Sequence, residues 1–222
     1  MARVKWHEVG DRVYETGVDR GVLYIPNVDG VYNNGVPWNG LVSVSESPSG
    51  AEPNAQYADN IKYLNLMSNE EFEATIEAFT YPDEFAQFDG TAQLAPGVYV
   101  GQQTRKAFGL SYRTLLGDDV DATDRGYKLH LVYGALAAPT EKAYNTVNET
   151  PEAITFSWQI TTTPVEVPQF KPSAKLVIDS TKVTSGDLTA LETILYGVDA
   201  VEGTPGTDPL LPLPAAVIAL FD

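Results

Sequence analysis

The sequence predicts a mainly β protein: a β-sandwich or barrel-like sheet with one flanking α-helix, a long loop and a C-terminal arm. Three observations predict it. Along most of the 222 residues, apolar and polar side chains alternate with a period of two, the spacing that turns one face of a strand toward a core. Gly, Pro, Asn and Asp break that pattern at short intervals, as turns between strands require. Only one stretch repeats its leucines at helical spacing. With 43% hydrophobic and 10% aromatic residues, the chain has the material for a substantial core. Residues 1–198 read as one β-rich domain, and residues 199–222 as an arm packing on the same or a neighbouring subunit.

Taken in order, residues 12–16 and 22–25 read as short strands around a turn at residues 17–21. Residues 28–35 are a loop rich in Asn, Asp and Gly, and residues 41–45 alternate as a strand. Residues 46–55 are polar, with two prolines and one glycine, and read as a long exposed loop. Residues 57–67 are extended, with a turn at Ser68-Asn69-Glu70. Residues 71–78 then alternate strictly: Phe72, Ala74, Ile76 and Ala78 on one face, Glu71, Glu73, Thr75 and Glu77 on the other. Ser68 and Glu71 also fit a capping box, but at helical spacing the acids would spread around the cylinder, so a strand is expected. The apolar parity flips at Phe79 and Tyr81, which calls for a bulge or a change of sheet.

Residues 106–116 and 126–137 form a hairpin around an acidic loop, residues 117–125. Ile154, Phe156, Trp158 and Ile160 alternate with Thr155, Ser157, Gln159 and Thr161 as a half-buried strand. A segment with Pro164, Pro168 and Pro172 leads to another strand at residues 175–179. The helix is expected over about residues 187–196: Ser185-Gly186-Asp187 offers capping oxygens, Leu188, Leu191 and Leu195 share a face, and Gly197 suits the C-terminal cap. Residues 199–214 read as a flexible arm, and the apolar residues 215–221 as its docking end. The count is about nine strands or more and one helix.

The chain carries 14 basic and 30 acidic residues, a formal charge of −16. That balance argues against holding nucleic acid by counterion release and against binding anionic membrane surfaces. The excess is uneven. Residues 1–20 and 105–182 are balanced, residues 21–104 hold eleven acids and only Lys62, and residues 183–222 hold six acids and no Lys or Arg. Either this is a solvated surface that keeps the chain soluble, or it is an acidic face with a task, such as repelling a polyanion. The start lacks the apolar stretch of a secretory signal, and the apolar run at residues 215–221 is too short to cross a bilayer. A soluble protein made in the cytosol is expected, in which the sequon at Asn148 meets no glycosylation machinery.

Catalytic and binding motifs are sparse. With no cysteine there is no disulfide, thiolate metal site or cysteine nucleophile. His7 and His130 have no serine nucleophile in a G-x-S-x-G setting, and His7-Glu8 lacks the second histidine of a zincin because position 11 is Asp11. No glycine-rich phosphate cradle occurs. The acidic stretch from Asp118 to Asp124 lacks the glycine and terminal glutamate of an EF-hand. Asp83 and Glu84 form one of many carboxylate pairs. Tyr127, Tyr133, Phe156 and Trp158 suit either a β core or a carbohydrate-stacking platform. No enzyme, metal site or cofactor is expected.

Several blocks are more specific than composition. Trp6-His-Glu-Val-Gly-Asp-Arg-Val-Tyr-Glu-Thr-Gly-Val-Asp-Arg-Gly-Val-Leu-Tyr24, followed by Trp38-Asn-Gly-Leu41, resembles the N-terminal region of siphophage major tail tube proteins. Tyr57-Ala-Asp-Asn-Ile-Lys-Tyr63 and Glu77-Ala-Phe-Thr-Tyr-Pro-Asp-Glu-Phe85 continue the resemblance. So do Phe108-Gly-Leu-Ser-Tyr-Arg113, Tyr127-Lys-Leu-His-Leu-Val-Tyr-Gly134 and Leu211-Pro-Leu-Pro214, so that it covers nearly the whole chain.

The resemblance implies a tail tube fold and a structural subunit without catalytic residues. Such subunits form hexameric rings that stack into a hollow tube, enclosing the tape measure protein and later conducting the genome. Tail terminator and distal tail proteins would be further partners, double-stranded DNA a transient one, and the tail of a virion assembled in the host cytoplasm the location. On that basis Glu71, Glu73, Thr75 and Glu77 are candidates to line the lumen. Glu46, Ser47, Pro48, Glu52 and Pro53 of the loop, with Leu211, Leu213, Val217, Ile218 and Phe221 of the arm, are candidates for subunit or ring contacts. The alternatives are a virion adhesin or carbohydrate-binding β-sandwich with Trp158 or nearby tyrosines in a groove, and a tail terminator or head–tail joining ring.

Overall fold

A computed structural model describes residues 3–147, 149, 152–201 and 205–221; the sequon residue Asn148 lies outside the described residues. β1 (Tyr14–Pro26) is one strand where the sequence suggested two around a turn. Gly17 and Arg20 have φ of 67° and 50°. They sit at register shifts against a single partner strand, so the expected turn is a pair of bulges that bend the strand without ending it. The Arg113 guanidinium grips both oxygens of Asp19 between the shifts and holds the bend. β2 (Tyr32–Trp38) replaces the second half of the loop expected at residues 28–35. The remaining loop closes on Asn27, whose side-chain oxygen accepts from the N–H groups of Asp29 and Val31, each at 2.9 Å.

Six strands then form one ribbon: β3 (Leu41–Glu46), β4 (Ser49–Gly50) and β5 (Pro53–Ala58) run out, and β6 (Ile61–Met67), β7 (Glu70–Glu71) and β8 (Glu73–Ala78) run back. β3 pairs with β8, β4 with β7 and β5 with β6. The reversal is at Asp59-Asn60, both at positive φ (51° and 63°), the geometry of a two-residue hairpin turn. The long loop expected at residues 46–55 is therefore largely paired strand, and Ser68-Asn69-Glu70 is a joint in the returning strand instead of its turn. Phe79 keeps the alternation and lies outward, 51% exposed, so no bulge is needed there. The chain leaves the sheet instead, and Tyr81 turns back onto Phe85, Phe156 and Trp158.

β9 (Ala92–Ala95) and β10 (Val98–Val100) make a small separate hairpin. β11 (Phe108–Asp118) and β12 (Ala122–Ala137) form the long central hairpin, followed by β13 (Phe156–Thr162) and β14 (Lys175–Asp179). The main sheet is antiparallel in the order β2-β1-β11-β12-β13-β8-β3, with β14 beside residues 128–132 of β12 and β13 beside its end. Gly134 divides these two stretches of β12. At φ 58°, a Cβ there would lie 2.4 Å from the Thr163 carbonyl oxygen, so only glycine lets β12 change partners at this point. The sheet curls until β3 approaches β1: Leu41 Cδ1 lies 2.4 Å from where a Cβ on Gly21 would stand.

The curl encloses an aromatic core of Trp38, Phe85, Phe88, Phe108, Trp158 and their aliphatic neighbours Leu23, Leu110, Ile76 and Ile160. A second core lies on the outer face of β1, β11 and β12, beneath α1 (Ser185–Tyr196) and α2 (Pro214–Phe221). Thr184, one residue before the expected capping group, caps α1 by accepting from the Asp187 N–H. Leu188, Leu191 and Leu195 are buried as their spacing predicts, and Gly197 ends the helix. Buried Tyr24 donates its hydroxyl to the Leu195 carbonyl at 2.8 Å, which satisfies an orphan group at the helix end and ties it to the sheet.

The apolar C-terminal segment is a second helix, which the sequence did not suggest. Pro214 sits in its first turn, where the missing N–H costs nothing. The chain before it is laid along β2: Leu211 N–H donates to the Tyr32 carbonyl at 2.9 Å and Gly35 N–H to the Pro209 carbonyl at 3.1 Å. Leu211 and Val217, expected at a subunit contact, are buried inside this chain's own second core. Their apolar surface seals the outer face of the sheet, while Leu213 stays exposed and Ile218 and Phe221 are half-buried.

Truncating Leu191 to Ala removes a fully buried side chain between helix and sheet, and should cost about 2–5 kcal/mol in chemical denaturation. Leu213→Ala should stay within about 0.5 kcal/mol. Equal effects would contradict this placement of the helices.

Candidate functional site

The outer face of the sheet has two halves. Helices cover β1, β11 and β12, whereas among the described residues no helix packs on the same face of β13, β8 and β3, whose outward side chains are half-buried to exposed. Cross-strand pairs share a face, and here they form rows: Ser43, Glu77 and Ser157, then Ser45, Thr75 and Gln159, then Glu73 and Thr161. Ser43 Oγ donates to Glu77 at 2.9 Å and Ser49 Oγ to Glu73 at 2.7 Å. These three strands contain no Lys or Arg. The result is a plane of carboxylates, hydroxyls and an amide, backed by the buried Ile76, Trp158 and Ile160. Glu71 lies off the main sheet, in the short β4–β7 ladder opposite Ser49. It adjoins the plane through that serine, whose hydroxyl reaches Glu73.

Beyond the plane, the β5–β6 hairpin stands clear of the body. Every residue of β6 is exposed, and Tyr57, Tyr63 and Met67 are 72%, 67% and 68% exposed. At strand spacing it reaches roughly 20 Å. An isolated two-stranded hairpin is marginal in water, and this one offers both edges and an apolar surface to a partner. Glu52 and Pro53 lie exposed near its base, as do Ser47 and Pro48.

Glu46 is engaged within the chain. Its carboxylate accepts from the Tyr112 hydroxyl at 2.8 Å and from the Lys175 ammonium, and it lies 3.9 Å from His130 Nδ1. His130 is sandwiched flat against Tyr112, with ring centroids 4.5 Å apart. The Thr114 hydroxyl donates to Glu15, so its 2.9 Å contact with His130 Nε2 takes the proton from the ring. Nδ1 is then left without a partner in a buried setting. Lys128 pairs with Glu15. The two ammoniums neutralise the two carboxylates, and burial with Lys175 alongside pushes His130 down to about 4. For Glu46, burial works against the charge, but the hydrogen bonds from Lys175 and Tyr112 outweigh it and hold the carboxyl below its usual value.

The acidic loop has an internal use. One oxygen of Asp118 accepts from the N–H groups of Val120 and Asp121, and the other meets Arg125. These bonds, the backbone ones foremost, keep its carboxyl below the ordinary value. Asp119 accepts from the Gly10 N–H and faces Arg12, so the loop clasps the N-terminal segment. Among the described residues no group of three His, Asp or Glu is placed to hold a metal ion. The proposed stacking platform is not on the surface: Tyr133 and Trp158 are fully buried, and Trp158 is ringed by Trp38, Tyr81, Phe85 and Phe156. No helix among the described residues is long and apolar enough to cross a membrane.

Compared with protein-family models and with curated proteins, the chain matches none. Two solved structures share a distant likeness. One is the cap that terminates the tube of the anti-feeding prophage, at 9% identity and a TM-score of 0.35, covering 81% of this chain and 97% of that one. The other belongs to the sheath–tube complex, in its extended state, of an extracellular contractile injection system, at 11% identity and a TM-score of 0.34, covering 78% and 93%. At these scores the likeness carries no functional inference.

The lowered His130 sets a sign for acid stability. The unfolded chain binds this proton near 6.5 and the folded chain only near 4, so stability is lost as pH falls between those values. Urea denaturation at pH 5.0 should give a stability about 1–2 kcal/mol lower than at pH 7.5 from this group. His130→Gln should flatten that part of the profile, and an unchanged slope would contradict the neutral buried ring.

Proposed function

We propose that this chain is the structural subunit of a long, non-contractile phage tail tube. The observation that carries the reading is the bare acidic plane of β3, β8 and β13, a wide polar face with two carboxylates, hydroxyls and no cation. A surface that had to grip DNA would place Lys or Arg there. A surface that had to let DNA pass would repel phosphate equally at every register. Copies close into rings of six with this plane toward the lumen, so that Glu73, Thr75 and Glu77 line it, with Glu71 at its margin. Six copies carry six times −16, or −96, of which only the charges within about 8 Å of the passing strand act on it at physiological salt.

The projecting β5–β6 hairpin supports the assembly half of the proposal. Its apolar side chains have no cover within the described chain, and stacking copies would bury them along with the ribbon's open edges. Ser47, Pro48, Glu52 and Pro53 at its base, with Leu213, Ile218 and Phe221 near the C-terminus, are the candidate contacts between subunits or rings. The tape measure protein fills the lumen during assembly, tail terminator and distal tail proteins close the ends, and the whole forms in the host cytoplasm as part of the virion. The role is structural, without catalysis or cofactor. A carbohydrate-binding module is disfavoured by the burial of Trp158 and Tyr133.

Electron microscopy of the purified chain over a concentration series tests this. Six-fold rings stacked into hollow tubes are expected, and monomers at every concentration, or rings that never stack, would overturn the reading. In assembled tubes, Glu73→Lys with Glu77→Lys should leave the tube intact and make it retain double-stranded DNA in a salt-dependent way, whereas the unaltered tube retains none.

A further inference from the structure

We propose that Glu46 is a latch that holds the root of the β5–β6 arm on the body, and that acidification opens it through His130. Glu46 is the last residue of β3, where the ribbon leaves the sheet. Its carboxylate is held by Tyr112 of β11 and Lys175 of β14. A groove of about 1090 Å³ separates the arm's base, at Pro48, Ala51 and Met67, from Pro172 of the body, and Glu46 and Lys175 both line it. The arm also has a joint. Gly50 and Ala51 take φ of 75° and 53° between β4 and β5. A Cβ on Gly50 would stand 2.4 Å from the Asn69 carbonyl oxygen of the returning strand.

The groups facing His130 come from five strands: Glu15 of β1, Glu46 of β3, Tyr112 and Thr114 of β11, Lys128 of β12 and Lys175 of β14. Two carboxylates and two ammoniums leave this cluster neutral, so a proton on the buried His130 ring in the closed latch is an uncompensated charge. When the root lifts, the ring meets water and takes the proton at its ordinary value. Acid therefore selects the open arm. Glu15 and Glu46 are themselves held below the usual carboxylate value, so at pH 5 they remain charged and His130 is the group that responds.

The device belongs to the single chain and does not rest on the tube reading. Hydrogen exchange read by mass spectrometry at pH 7.5 and 5.0, with times scaled to equal intrinsic exchange, tests it. In the wild type, peptides covering residues 44–50 and 68–74 should open more often at pH 5.0, on the order of tenfold, and at both pH values should exchange well ahead of residues 156–162 of β13, which await global unfolding. Glu46→Gln should give fast root exchange at both pH values, and His130→Gln should remove the pH response. Should His130→Gln fail to fold, Tyr112→Phe keeps the ring stack but drops one bond to Glu46, and should raise root exchange already at pH 7.5. Root peptides exchanging only together with those of β13, root exchange slower at pH 5.0, or wild-type root protection in Glu46→Gln would each overturn the latch.

Discussion

The structure depends on one constraint: the β11–β12 hairpin is buried on both faces. Along β12, Val132, Ala135 and Ala137 enter the aromatic core inside the curl, while Leu129, Leu131 and Tyr133 enter the core beneath the helices. A strand clad on both sides cannot slip by one residue without exchanging every side chain between two differently shaped cores. That fixes the register of β11 and β1 on one side and of β14 and β13 on the other. Gly134 lets a single strand serve both neighbours in succession. The curl, the seating of α1 and α2, and the convergence of distant strands on His130 all follow from this shared spine.

The same constraint explains why half of the outer face is left bare. The two helices are short and are tied to particular groups of the covered half, α1 through Tyr24 and the segment before α2 through Tyr32 and Tyr133. Among the described residues no helix packs over β13, β8 and β3, and the paired outward residues there are Ser, Thr, Gln and Glu. A face left in water by the fold is free to be shaped by what it meets. Two glutamates among hydroxyls, without a base in the three strands, is the composition of a surface that avoids holding a polyanion. The arm that leaves from β3 and returns into β8 issues from this same bare half, so the surface read as a wall and the device read as a coupling share one root.

Much of the fold was legible because burial there is one-sided and periodic. The alternation through Trp158 and Ile160, the alternation through Glu73, Thr75 and Glu77, and the leucines of α1 all read directly. What was not legible had a physical reason in each case. β2 contains Asn-Asn-Gly-Val-Pro, a turn composition, yet an edge strand tolerates Pro37 and the C-terminal segment supplies part of its pairing. The outgoing part of the ribbon, residues 46–55, is largely exposed on both faces, so no apolar period marks its strands. α2 spans only two turns behind Leu-Pro-Leu-Pro, too short for a periodic signal. Of the candidate site, the acidic plane was visible along β8, but its serines on β3 and β13 were not, because register is a property of pairing. The Glu46–His130 cluster was invisible for a stronger reason: its members come from five strands spread from Glu15 to Lys175.

The central claim is that the bare plane of the sheet becomes the inner wall of a closed assembly. Because the chain has no cysteine, Thr75→Cys places a single thiol in the middle of that plane. Its reaction with a small maleimide and with a maleimide on a large polymer can be compared in assembled particles. The account predicts labelling by the small reagent and exclusion of the large one, as for a wall reached only along a narrow bore. Equal labelling by both would put the plane on the outside, and protection from both would make it a buried contact between subunits; either result would contradict the account.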